Sequence, residues 1–212
     1  MTDARPRRPS TVVALERLLF AIAAVCLGYF GYTTTEARLY QAWENRQLDA
    51  ILAGVSHDAR PGDADEAATT VAVPRLAPPP GAILGRLEIP RLGVSTIVRA
   101  GSDARTLNLA VGHIAGTALP GDSGNVGLAG HRDTFFRRLE SIRADDEIRF
   151  VTPDGVYVYR VQRTDVVEPT DVWVLDSTGE TILTLVTCYP FTYVGPAPER
   201  FVVRAVLEPS SS

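Results

Sequence analysis

From Ala82 onward the sequence breaks into short apolar runs punctuated by Gly, Pro and Asp: ILGRLEIP, VSTIVRA, NVGLAGH, EIRFVTP, VYVYRVQRTDVV, TILTLVTC and FVVRAVLE. Runs this short, rich in Val, Ile, Thr and aromatic residues and closed by turn formers, read as β-strands. Seven or eight of them with little helix between predict a closed or nearly closed β-barrel over residues 82–208. The TPDG step at 152–155 predicts a hairpin turn. Short helices fit best at Ala104–Val111 and at Phe135–Ile142, where Phe135, Leu139 and Ile142 share a helical face.

The segment before the barrel is built differently. Leu18–Thr35 is an uncharged run of 18 residues, which as a helix would reach about 27 Å, enough to cross a bilayer. Arg5, Arg7, Arg8 and Arg17 precede it, so the positive-inside bias predicts a single-pass anchor with residues 1–17 in the cytoplasm and the barrel outside. A cleavable signal peptide shares the basic start, but the run is longer than a usual h-region and no A-x-A site follows it. Residues 36–53 carry helix-like spacing at Leu39, Ala42, Trp43, Arg46 and Ala50, a stalk continuing the anchor. Residues 54–81 turn to Ala, Asp, Thr and Pro and end in PRLAPPPG, the composition of an extended linker. Residues 209–212 form a short tail.

All 21 basic residues are arginine, against 25 acidic ones, for a net charge of −4. No basic face or stripe stands out along the chain, so there is no electrostatic footprint for nucleic acid. The two cysteines, Cys26 and Cys188, are too few for a disulfide framework and match no zinc spacing. Cys26 falls at membrane depth, which leaves Cys188 unpaired in the extracytoplasmic domain.

A strand that runs into Cys188-Tyr189-Pro190 ends there, because proline cannot continue the ladder, and this displays the thiol beside a loop. A buried, inert thiol closing a core strand is the plainer alternative. A working nucleophile needs a basic or cationic neighbour, for which His131, His113 and Arg200 are available, while His57 lies in the linker. His131 closes a strand at a small-residue turn and His113 sits among glycines in AVGHIAG. Spacing alone does not rank one above the other.

Together, TLVTC at 184–188, GHIAGTALPG at 112–121, NVGLAGHRD at 125–133 and the arginine twelve residues past the cysteine closely resemble a sortase. The likeness spans essentially all of residues 82–208, and CYPF with the following APER is most similar to class D sortases. The resemblance implies an eight-stranded sortase-type barrel and a cysteine transpeptidase of the thiol protease class. It implies Cys188 as nucleophile, His131 as general acid/base, Arg200 as the third catalytic residue and Thr187 as an aid to the oxyanion or the substrate threonine. His113 is left as a loop residue bordering the groove, and Asp133 as a turn or cap residue.

By the same likeness the donor is an LPxTG-like sorting signal and the acceptor an amine of peptidoglycan or a pilin, with attachment at the cell membrane. Residues 54–81 lack the Asp-Pro-aromatic lid signature of pilin-polymerising members. No cofactor is expected. Some sortases bind calcium through a loop, and Asp145, Asp146 and Glu147 near Glu140 would be the candidates, though a solvated turn before EIRFV is the simpler reading. An L,D-transpeptidase would need an S-x-G-C-x-R setting, and a papain-like protease an early cysteine opening a helix. The non-enzymatic alternative is an anchored binding module on the same barrel.

Overall fold

The structure, a computed structural model, describes residues 15–29, 46, 49 and 77–209. The chain divides into two units, residues 1–40 and 41–212. In the first unit, residues 15–29 form a helix (α1) whose side chains are all exposed, including Leu19, Phe20, Val25 and Leu27. Among the described residues no helix is long and apolar enough to cross a membrane. Residues 30–35 of the expected anchor lie outside the described residues, as do residues 1–14, residues 210–212 and most of the stalk and linker. Two positions of the stalk, Arg46 and Asp49, are described and helical, and Arg86 donates to Asp49 at 2.7 Å.

The second unit holds eight strands: β1 (Ile83–Ile89), β2 (Val94–Ala100), β3 (Val111–His113), β4 (Asn125–Ala129), β5 (Glu147–Thr152), β6 (Gly155–Val167), β7 (Ile182–Tyr189) and β8 (Glu199–Leu207). They close into one barrel in the order β1-β2-β3-β4-β7-β8-β6-β5. Pairing is antiparallel except at β2–β3 and β4–β7. Alternation along each strand sends one set of side chains inward, so Leu87, Ile89, Phe150, Leu128, Leu185 and Val203 fill the interior and are fully buried. Seven strands coincide with the punctuated runs. The eighth, β3, is only three residues long inside AVGHIAG, too short for an alternation signal.

The expected hairpin joins β5 to β6, where Thr152 pairs with Gly155 and the Thr152 hydroxyl donates to the Gly155 carbonyl. Helix α2 (Ala104–Leu109) is capped by Asp103, whose carboxylate accepts from the backbone N–H of Arg105 and of Thr106. The helix expected at Phe135–Ile142 is instead a tight turn followed by a 3₁₀ segment, Arg137–Ser141. Its inward residues are Phe136, Leu139 and Ile142, spaced by three as 3₁₀ geometry requires, and Phe135 is only half-buried. That spacing, and not the helical face read from Phe135, is what buries the segment.

Candidate active site

Inward side chains on β7 are Leu183, Leu185 and Tyr189, so alternation turns Cys188 to the outer face of the barrel. On β8, Phe201, Val203 and Ala205 point in, and Arg200 and Arg204 therefore point out. The register sets Cys188 directly opposite Arg200 and Thr184 opposite Arg204. Directly opposed residues place their Cβ atoms about 5 Å apart. The thiol and the guanidinium thus share one face at the end of the β7–β8 pair, and both residues are half-buried.

Beneath them Tyr189, Phe191 and Phe201 form an aromatic cluster. Tyr189 stacks on Phe201 with ring centroids 6.1 Å apart, and Phe191 meets Phe201 edge-on at 5.2 Å. Such pairs contribute about 0.5–1.5 kcal/mol each beyond the area they bury. They anchor the strand end on which Cys188 sits.

His131 arrives from the neighbouring strand. β4 and β7 run parallel, with Ala129 in register with Val186, so the two chains leave the barrel at the same end, one toward His131 and the other toward Cys188. The ladder then continues past the strand: the Gly130 N–H donates to the Val186 carbonyl at 3.1 Å, and the Thr187 hydroxyl donates to the Gly130 carbonyl at 2.8 Å. Gly130 must be glycine, because a Cβ there would lie 2.7 Å from the Phe136 ring. His131 is half-exposed, and its carbonyl accepts the Phe136 N–H at 3.1 Å, which closes the turn.

Two sequence expectations are corrected by these positions. Thr187 is 3% exposed, alternates to the face away from the thiol, and commits its hydroxyl to Gly130, so it braces the His131 turn instead of facing an oxyanion. His113 is no loop residue on a groove border. It ends β3, is 5% exposed, and its Nε2 lies 2.8 Å from the Ala118 carbonyl and 3.1 Å from the Thr117 hydroxyl. A carbonyl only accepts, so Nε2 carries the proton. Burial pulls the His113 pKa down, which favours the neutral ring.

Arg132 and Arg137 are side chains that sequence reasoning passed over. Arg132, 6% exposed, donates through Nη1 to the Pro190 carbonyl at 2.7 Å and through Nε and Nη2 to the two Asp133 oxygens at 3.0 and 3.1 Å. That contact holds the Asp133 carboxyl below the usual carboxylate range. Arg137 donates to the Phe191 carbonyl. The HRD step offers only part of a signal, an arginine followed at once by a carboxylate able to pair with it, and nothing in it marks the burial.

Two acids of the stretch, Asp146 and Glu147, are paired with arginine. Arg91 pairs with Asp146 through two nitrogens and holds its carboxyl below its usual range, and Arg149 pairs with Glu147. Among the described residues no group of three or more His, Cys, Asp or Glu could hold a metal ion.

A thiol at a strand end, a histidine on the adjoining turn and an arginine across the ladder of a closed β-barrel are residue types suited to thiol-based acyl transfer. The sortase-domain model matches residues 87–208, and the chain belongs to the sortase family of cysteine transpeptidases. It is 32% identical to Sortase D of Bacillus subtilis (strain 168) over 188 residues, covering 87% of this chain and 94% of that one. Among solved structures it resembles a Clostridium perfringens Sortase D5 transpeptidase, with TM-score 0.56 and 30% identity over 60% of this chain and 79% of that one. Sortase C1 of GBS Pilus Island 1 is similar at TM-score 0.56 and 30% identity, over 60% of this chain and 64% of that one.

Proposed function

We propose that this chain is a membrane-anchored sortase that cuts an LPxTG-like sorting signal and joins the released acyl group to an amine of the cell envelope or of a pilin. The observation that carries this reading is the register of Cys188 against Arg200, beside a His131 turn tied to the same strand end. Cys188 is the nucleophile: its thiolate adds to the scissile carbonyl, the C–N bond breaks, and His131 gives its proton to the departing amine. The acceptor amine then attacks the thioester carbonyl, the C–S bond breaks, and His131 takes the amine's proton back.

Arg200 supplies charge-bearing donors to the developing oxyanion or to substrate carbonyls. Its Nη1 donates to the Glu199 and Ala197 carbonyls at 2.9 and 3.2 Å, so part of its donor set remains free for substrate. The anchor is supported by the uncharged run at 18–35 and by the exposed apolar surface of α1, which is unlike that of a helix in water. The sorting signal, the acceptor amine and the extracytoplasmic location rest on the family resemblance and on the arginines ahead of the run.

The test is incubation of the full-length chain in detergent with an LPxTG-bearing peptide and an added amine, with products identified by mass spectrometry. Cleavage after the threonine with amine joined to the new end is expected, and Cys188→Ala should abolish it without unfolding the protein. Arg200→Lys should fail nearly as badly as Arg200→Ala, a loss on the order of 2.7–4 kcal/mol in transition-state stabilisation. Arg204 is the control, since its Nη2 donates to the Thr178 hydroxyl at 2.9 Å, and its replacement should change kcat/KM little. Retained acyl transfer by Cys188→Ala would overturn the assignment.

A further inference from the structure

The segments bearing His131 and Cys188 are joined by four hydrogen bonds. Two lie before the functional residues: Gly130 N–H to Val186 carbonyl, and Thr187 hydroxyl to Gly130 carbonyl. Two lie after them: Arg132 to the Pro190 carbonyl, and Arg137 to the Phe191 carbonyl. Of the first pair, the Gly130 bond extends the β-ladder by one step and the Thr187 hydroxyl braces it from the side. The second pair have no ladder to follow, because the chain has left β7, and there two arginine side chains do the joining.

We propose that Arg132 is a positioning residue for acyl transfer, fixing the Cys188 loop against the His131 turn through the Pro190 carbonyl. The proposal rests on the transpeptidase reading and adds a residue to it. It follows from the fork of the guanidinium. One edge is occupied by the Asp133 carboxylate, the other reaches across to Pro190, and the plane between them is locked. Lysine has the charge but not the fork.

The experiment measures kcat and KM for peptide cleavage by the full-length chain, with Tm followed in parallel. In Arg132→Gln kcat should fall roughly tenfold with KM little changed. Arg132→Lys should keep the low kcat of Arg132→Gln, because it lacks the fork. Asp133→Asn, which loosens one edge of the guanidinium, should lower kcat by less than Arg132→Gln does.

An unchanged kcat in Arg132→Gln, or a kcat restored by Arg132→Lys, would overturn the proposal. Losses that merely follow a fall in Tm would reduce Arg132 to scaffolding and overturn it too. If Arg132→Gln fails to fold, the kcat of Arg132→Lys and of Asp133→Asn decides. A wild-type chain without turnover would sink the transpeptidase reading, whereas wild-type turnover with none of these losses would sink the Arg132 proposal alone.

Discussion

Two Gly-His steps end neighbouring strands of this barrel: Gly112-His113 closes β3, and Gly130-His131 follows β4, its antiparallel partner. Both glycines are forced by close approach. A Cβ at Gly112 would lie 2.4 Å from the Gly101 carbonyl oxygen, and one at Gly130 would lie 2.7 Å from the Phe136 ring. The histidines then diverge. His113 is sealed by the turn at 114–118, whose Ala118 carbonyl accepts a hydrogen bond from its Nε2–H, whereas His131 stays half-exposed on a turn tied to the Cys188 strand. The same dipeptide thus makes a buried structural post on one strand and a half-exposed side chain beside the candidate site on the next.

The widest separation between the two should be in turnover. His131→Ala is expected to lower kcat/KM by roughly 10²–10⁴-fold, the range for loss of a general acid/base. His113→Ala should leave peptide cleavage nearly intact while lowering Tm, and the reverse ranking in a cleavage assay would break the comparison.

Alanine at either glycine should cost about 1–3 kcal/mol of stability by overpacking, measured by urea unfolding. Gly112→Ala should be the worse for stability, since a backbone carbonyl cannot swing aside as a ring can. Gly130→Ala should be the worse for kcat, since the Phe136 ring would move with the His131 turn. Equal effects on both readouts would mean that the two turns are equivalent supports.

The smallest effect is a pH slope. The folded pKa of His113 is depressed by burial below its unfolded value near 6.5. The unfolded chain therefore binds more protons as pH falls below about 6.5, and the stability tied to this residue is lost on that side. His113→Gln should flatten the stability curve between about pH 6.5 and pH 5, whereas wild type should slope downward through the same window. Parallel curves for the two proteins would assign the slope elsewhere.

Much of the fold was legible because a barrel strand writes its period into the chain: the runs at 83–89, 147–152 and 199–207 alternate or stay continuously apolar between turn formers. What escaped was short or shaped by its surroundings. β3 is three residues long, and Arg137–Ser141 is 3₁₀ because the inward side chains at 136, 139 and 142 repeat every three residues. At the site, Cys188, His131 and Arg200 could be picked from residue type and motif. Their register could not, since it depends on β7 pairing with β8 across the loop Pro190–Pro198. Thr187 was misread because alternation turns it from the thiol, and Arg132 was missed because a charged residue next to a histidine carries no mark of being 6% exposed.

The strand order also fixes when the enzyme comes into being. β7 and β8 are the last strands to be synthesised, yet they sit between β4 and β6 in the sheet, and until they insert those two strands present bare edges. A chain that has emerged only as far as residue 181 owns its histidine but neither the thiol nor the arginine across from it. Only when the final ladder zips shut does Cys188 come to lie opposite Arg200, so closing the barrel and assembling the candidate site are one event.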